Sequence, residues 1–157
     1  MDVRLRPFQE SDFEFVRELY FETMRGAIEP YFGWNRMQQE ESFSTWFKPN
    51  EARIITADGT DAGWIQQRQN TAEIFLGSIY VTPAMQGKGI GTSVIQDLLH
   101  LAGLQSQAVT LAVMKINPAI RLYRRLGFHA THEDDYKVYM RADPKTASSP
   151  LPIRSAR

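Results

Sequence analysis

The chain is 157 residues long, 43% apolar and 23% charged, the makeup of one globular domain with a core of its own. Lys plus Arg and Asp plus Glu each number 18, so no net field steers the molecule to nucleic acid or an anionic membrane, and neither is expected as a partner. Cysteine is absent, which excludes disulfides, thiolate metal sites and a cysteine nucleophile.

Met1 is followed by Asp2, without the basic, apolar and small-residue order of a signal peptide. No apolar run reaches the roughly 18 residues of a membrane span, so a cytoplasmic protein is expected. Val3 to Arg6 reads as a short strand with Val3 and Leu5 on one face, ended by Pro7. Ser11 or Asp12 can cap the next helix, whose stripe is Phe13, Val16, Leu19, Tyr20 and Met24. Gly26 and Pro30 are expected to interrupt it. A second helix, 38–47, follows an aromatic-rich segment and ends before Pro49-Asn50. Three β-rich runs come next, 53–57, 63–68 and 72–81, separated by Asp58-Gly59 and Gln69-Asn70, and so predict an antiparallel meander. Then follow a helix over 91–103, a buried strand over 109–113, a helix over 118–126 and a final strand pair, 128–133 and 136–141. This order predicts an α+β domain whose mixed sheet carries helices on its faces, spanning 1–142. The Pro/Ser/Ala-rich stretch 143–157 is expected to be a disordered tail.

The most informative stretch is Ile79-Tyr80-Val81-Thr82-Pro83, which feeds a loop with glycine at 87, 89 and 91 that opens a helix. Glycine accepts backbone angles that other residues avoid, so successive amides can converge on an anion. A helix N-terminus adds unpaired amides, and Lys88 adds a full charge. A pyrophosphate fits such a loop. A Walker A loop is excluded because Lys88 is followed by Gly89 rather than Ser or Thr. The Rossmann G-x-G-x-x-G fails in both registers, since the sixth position is Thr92 from Gly87 and Val94 from Gly89.

Gln86-Gly87-Lys88-Gly89-Ile90-Gly91 fits the Q/R-x-x-G-x-G/A motif of the GNAT acyltransferase superfamily, which the chain resembles. About 30 residues on, Asn117-Pro118-Ala119 and Leu122-Tyr123-Arg124-Arg125-Leu126-Gly127-Phe128 are similar to its N-x-x-A-x-x-L-Y-x-x-x-G-F segment, with the alanine one place early. The order of elements agrees from Val3 to Arg141. The resemblance implies a central, twisted, mostly antiparallel sheet with helices on both faces and a splayed strand pair that holds acetyl-CoA. It implies main-chain contacts to the acyl-pantetheine from Ile79, Tyr80 and Val81, and a pyrophosphate held by Gln86, Gly87, Lys88, Gly89, Ile90, Gly91 and Thr92. The implied activity is N-acetyl transfer from acetyl-CoA to a primary amine of a small molecule or peptide, by direct attack in a ternary complex. An acyl-CoA-binding regulatory module without turnover is the competing reading.

The chemistry needs a neutral amine, a polarised thioester and a proton for the departing thiolate. Glu73, near the start of the central strand, is the candidate base and a candidate acceptor contact; otherwise it is a solvated carboxylate after a turn. A backbone amide near Ile79 can serve as oxyanion donor. Tyr123 is the candidate acid, in line with the resemblance, against a plain packing role. Asn117 reads as a helix cap ahead of Pro118, with coenzyme contact as an added role. On the acceptor side the resemblance points to the segment holding Arg25, Glu29, Tyr31, Phe32, Trp34 and Asn35, of which Glu29, Tyr31 and Trp34 are the candidate contacts, although at least half of these aromatics are expected in the core. Tyr136 and Tyr139 alternate on the last strand, and one of them is a further candidate for the acceptor pocket. His129 and His132 near Glu133, Asp134 and Asp135 match no zinc spacing, and no metal is expected. A homodimer through an exposed strand or helix is left open.

Overall fold

The computed structural model describes residues 1–144, and all but the first two residues of the expected tail lie outside the described residues. Among the described residues, seven strands stand in the order β1-β2-β3-β4-β5-β7-β6, with four α-helices, an α+β arrangement. Contacts divide the chain into two compact units, each assembled from two stretches of sequence.

The first unit takes Met1–Gln67 and Ser78–Gly91. β1 (Val3–Pro7) lies antiparallel to β2 (Ala52–Ala57), which pairs antiparallel with β3 (Thr60–Gln69). The β2–β3 turn is Asp58-Gly59, with φ of 50° and 83°. Two successive left-handed residues give a hairpin twist that matches the strands, which is why Asp-Gly carries the signal. α1 (Phe13–Phe32) and α2 (Arg36–Trp46) share one core with β2 and β3. Phe43, fully buried, is its hub: it stacks on Phe47 at 5.1 Å and meets Phe13, Phe21, Trp46 and Trp64 edge-on.

Two expectations about α1 are corrected. Neither Ser11 nor Asp12 caps the helix through its side chain; a single 3-10 turn, Glu10–Asp12, precedes it. The Asp12 carboxylate instead accepts from the Gln9 amide at 2.8 Å and from two nitrogens of Arg6 at 2.9 Å. Charge-assisted bonds to a guanidinium outcompete a neutral cap. Nor do Gly26 and Pro30 interrupt α1, which runs on to Phe32. Pro30 sits in the last turn, where its missing N–H forfeits one helical bond near an end that frays anyway. The true stop is Gly33, at φ 70°, whose amide donates to Glu29 O at 2.9 Å. On β1, Leu5 is exposed and Arg6 half-buried, since Arg6 is drawn in between Asp12 and Asp61.

The second unit takes Arg68–Gly77 and the described residues from Thr92 on. It contains the start of β4 (Glu73–Val81), most of α3 (Ile90–Leu104), β5 (Ala108–Met114), α4 (Ala119–Arg125), β6 (His129–Glu133) and β7 (Lys137–Ala142). β4 pairs with β5 in parallel, from Glu73↔Ala108 to Leu76↔Leu111. A parallel pair needs a long crossover, here supplied by α3. β5 continues antiparallel to β7 as far as Met114↔Lys137, and β6 pairs antiparallel with β7. Ile74, Leu76, Val109, Leu111, Val113 and Met140 are buried, as alternation along these strands requires.

Candidate functional site

In the first unit, the end of β4 passes into the glycine loop through a run of short-range bonds. The Thr82 amide donates to Ala62 O at 2.8 Å, tying the strand end to β3. A 3-10 turn over Pro83–Met85 follows, with the Met85 amide on Thr82 O at 2.9 Å. The Gln86 side chain then reaches back, and its Nε2 donates to Val81 O at 3.0 Å. Gln86 therefore braces the loop against the strand through its side chain, a bond that sequence reading alone does not show.

Gly87 and Gly89 take φ of 77° and 80°. Side chains rarely adopt this region, so these two glycines are required by conformation. Gly91 differs: it lies in the first turn of α3 without a left-handed angle, and an added Cβ would come no nearer than 4.0 Å to Val81 Cγ2. Ile90 between them is 2% exposed and pins the start of the helix. Lys88 is exposed, as are Gln86, Gly87 and Gly89, whereas Thr92 is half-buried in the helix. An exposed cation and left-handed glycines before a helix N-terminus form a setting suited to a pyrophosphate. Ile79, Tyr80 and Val81 are half-buried. The Tyr80 ring packs in the aromatic core, at 5.2 Å from Trp64 and 5.5 Å from Tyr20.

The same unit holds an open cavity of about 720 Å³ beside α1. Its wall includes Glu14, Glu18 and Glu22, one helical turn apart, together with Arg25, Trp34, Arg36 and Thr82. Of the acceptor candidates, Trp34 lies on this wall. It packs edge-on against Phe21 at 5.4 Å and under the Arg25 guanidinium at 5.6 Å. Glu29 reaches the cavity indirectly, by holding Arg25 at 3.0 Å. Tyr31 is 65% exposed and is not brought to this wall. The carboxylates of α1 escaped the sequence reading because solvated helix faces carry the same pattern.

In the second unit, Glu73 opens β4. Its amide donates to Asn70 Oδ1 at 2.9 Å, and its carbonyl accepts from the Asn70 amide at 3.0 Å. Asn70 is held in turn by Gln107, whose Nε2 donates to Asn70 O at 2.7 Å. Glu73 is half-buried and paired in register with Ala108, in the closed part of the β4–β5 ladder. Gly77, the first residue past the ladder, is four positions on, or ~13 Å along a strand.

Tyr123 lies on α4, 7% exposed, with Phe128 edge-on at 5.8 Å. Burial pushes its hydroxyl up to about 12. Asn117 stands just before α4; its Oδ1 accepts from the Ala119 amide at 2.9 Å, a capping contact. Gly127, at φ 103°, closes the helix. On β7, the Tyr139 hydroxyl donates to Asp134 Oδ2 at 2.9 Å, and the His132 ring meets Tyr139 edge-on at 4.3 Å. Among the described residues, no group of three or more His, Asp or Glu side chains is placed to hold a metal ion. No described helix is long and apolar enough to cross a membrane.

Comparison with known proteins adds a family. Residues 13–128 match the model of the Acetyltransferase (GNAT) family. A mycothiol acetyltransferase of Nocardioides is 33% identical over 114 residues, covering 61% of this chain and 38% of that protein. An N-acetyltransferase of Methanocaldococcus jannaschii is 26% identical over 138 residues, covering 79% of this chain and 59% of that one. The chain thus spans less than two-thirds of the length of either relative. The fold is shared with the PaiA N-acetyltransferase of Thermoplasma acidophilum, solved with coenzyme A, at a TM-score of 0.73 and 18% identity over 91% of this chain and 99% of that one. It is also shared with the ribosomal-protein-S18-alanine N-acetyltransferase of Escherichia coli, at 0.61 and 19% over 96% and 99%.

Proposed function

Since the chain belongs to the Acetyltransferase (GNAT) family, we propose that it transfers an acetyl group from acetyl-CoA to a primary amine of a small-molecule or peptide acceptor, by direct attack in a ternary complex. The observation that carries this reading is the passage from Val81 to Gly91. There a strand end, two left-handed glycines, an exposed lysine and a helix N-terminus follow one another within eleven residues. The loop takes the coenzyme pyrophosphate, and the main chain of Ile79 and Val81 takes the pantetheine amides as an added strand would.

In the transfer, the amine nitrogen attacks the thioester carbonyl carbon, the C–S bond breaks, and the amine gives up a proton. Tyr123 serves the leaving group. A phenol held at about 12 keeps its proton at neutral pH, well above an ordinary thiol at ~8.5. It therefore stabilises the thiolate by donating a hydrogen bond instead of surrendering the proton outright. Glu73 stands in the closed part of the ladder, so it receives the amine proton through a chain of waters and not by direct contact. The acceptor is recognised along α1, with Trp34 as the aromatic wall and Glu29 acting through Arg25.

The test is turnover by the full chain, read as free thiol released from acetyl-CoA against a panel of amines and peptide amino termini. Amine-dependent release supports the reading. Coenzyme binding without release from any amine would overturn it in favour of a regulatory acyl-CoA-binding module.

A further inference from the structure

Gly63 lies in the middle of β3, where an isolated glycine weakens a strand unless something needs its empty side-chain space. Something does. A Cβ built on Gly63 would stand 2.1 Å from the carbonyl oxygen of Tyr80 and 3.1 Å from both Tyr80 C and Val81 Cα. These are backbone atoms, so no side chain can swing aside to make room. Gly63 has no left-handed angle, so its identity is set by this approach and not by conformation. Strand Cβ atoms stand out of the sheet plane, whereas ladder carbonyls lie near it. The Tyr80 carbonyl therefore tilts out of the sheet plane into the volume that a side chain at 63 would fill.

The consequence falls on the next amide. Across a trans peptide, C=O and N–H point in opposite directions, and no cis bond occurs among the described residues. With the Tyr80 oxygen turned toward Gly63, the Val81 N–H is turned away from β3. We propose that Gly63 is a positioning residue for coenzyme binding, holding the Tyr80–Val81 peptide in the tilt that presents the Val81 amide to a pantetheine carbonyl. The inference rests on the reading of β4 as the pantetheine-binding strand. Two neighbours keep the tilt from relaxing: the Thr82 amide is tied to Ala62 O at 2.8 Å, and Val81 O is held by Gln86 at 3.0 Å. The following peptide, Val81–Thr82, is thus held through both its carbonyl and its amide, and Gly63 supplies the space for the tilt ahead of it.

The experiment compares Gly63→Ala with the unmodified full chain by titration calorimetry, using coenzyme A and adenosine 3′,5′-bisphosphate, a fragment that keeps the nucleotide end and lacks the pantetheine arm. The methyl group should weaken coenzyme A by about tenfold or more and leave the fragment within about twofold. Equal weakening of both ligands, or of neither, would overturn the proposal, because a purely structural role does not single out the pantetheine arm. If the unmodified chain binds coenzyme A no better than the fragment, the reading of β4 itself has failed, an outcome distinct from failure of Gly63. Should Gly63→Ala not fold, amide hydrogen exchange on the unmodified chain decides. Coenzyme A should protect the Val81 amide and the fragment should not; an unprotected Val81 amide with coenzyme A bound would overturn the proposal.

Discussion

Burial alone raises the Tyr123 hydroxyl to about 12, and it raises Tyr20 in the same direction. A phenol is neutral when protonated, so a raised folded-state pKa stabilises the fold fully below the unfolded value of ~10. That contribution disappears as pH climbs from about 10 through 12. For Tyr123 it amounts to at most about 3 kcal/mol, and Tyr123→Phe should flatten the loss of stability over that window when denaturant midpoints are compared at pH 8 and pH 11. The same substitution should lower kcat by roughly 10²-fold with little change in KM for acetyl-CoA, as expected for a donor that matters most to the departing thiolate. Unchanged turnover would remove Tyr123 from the chemistry. Asp12 behaves in the opposite sense. Arg6 and the Gln9 amide hold its carboxyl below the usual carboxylate range. Its contribution is therefore present above ~3.9 and is lost as pH falls through the lower folded value. Asp12→Asn should lower stability at neutral pH and make stability less sensitive to acid, as read by thermal unfolding between pH 2 and 6.

At the level of elements, the loop from Gln86 to Gly91 and the aromatic core set by α1 and α2 make separable demands. Gly89→Ala puts a side chain at φ 80°, a strain of about 1–2 kcal/mol, and should weaken coenzyme binding more than global stability. Phe43→Ala should do the reverse, costing about 3–5 kcal/mol at denaturation while the folded remainder binds coenzyme normally. The elements themselves were largely readable, because each carries a local signal: Asp58-Gly59 for the hairpin, glycine at 87 and 89 for the loop, Asn117 and Gly127 around α4. Where reading failed, a competing contact or a nearby helix end had overridden a local rule. Asp12 gave up its cap to Arg6, and Pro30 was tolerated because the helix ends three residues later at Gly33. The brace from Gln86 to Val81 O and the approach of Tyr80 O to Gly63 are contacts between residues whose types permit them without requiring them. Such contacts become visible only once the strand positions are known.

For the molecule as a whole, both compact units are discontinuous in sequence, and β4 begins in one and ends in the other. We propose that residues 1–142 unfold as one domain, since neither unit can be cut out as a continuous piece; calorimetry should then show a single transition with matching calorimetric and van't Hoff enthalpies. Two resolved transitions would contradict this. The central claim, that the glycine loop serves a coenzyme, is tested most directly by thermal shift of the full chain with acetyl-CoA, with NAD and ATP as controls. At 100 times its dissociation constant a ligand adds about 2.7 kcal/mol to the folded state. A rise in melting temperature with acetyl-CoA and with neither control is the predicted result. No rise with acetyl-CoA, in a sample that unfolds cooperatively, would contradict it.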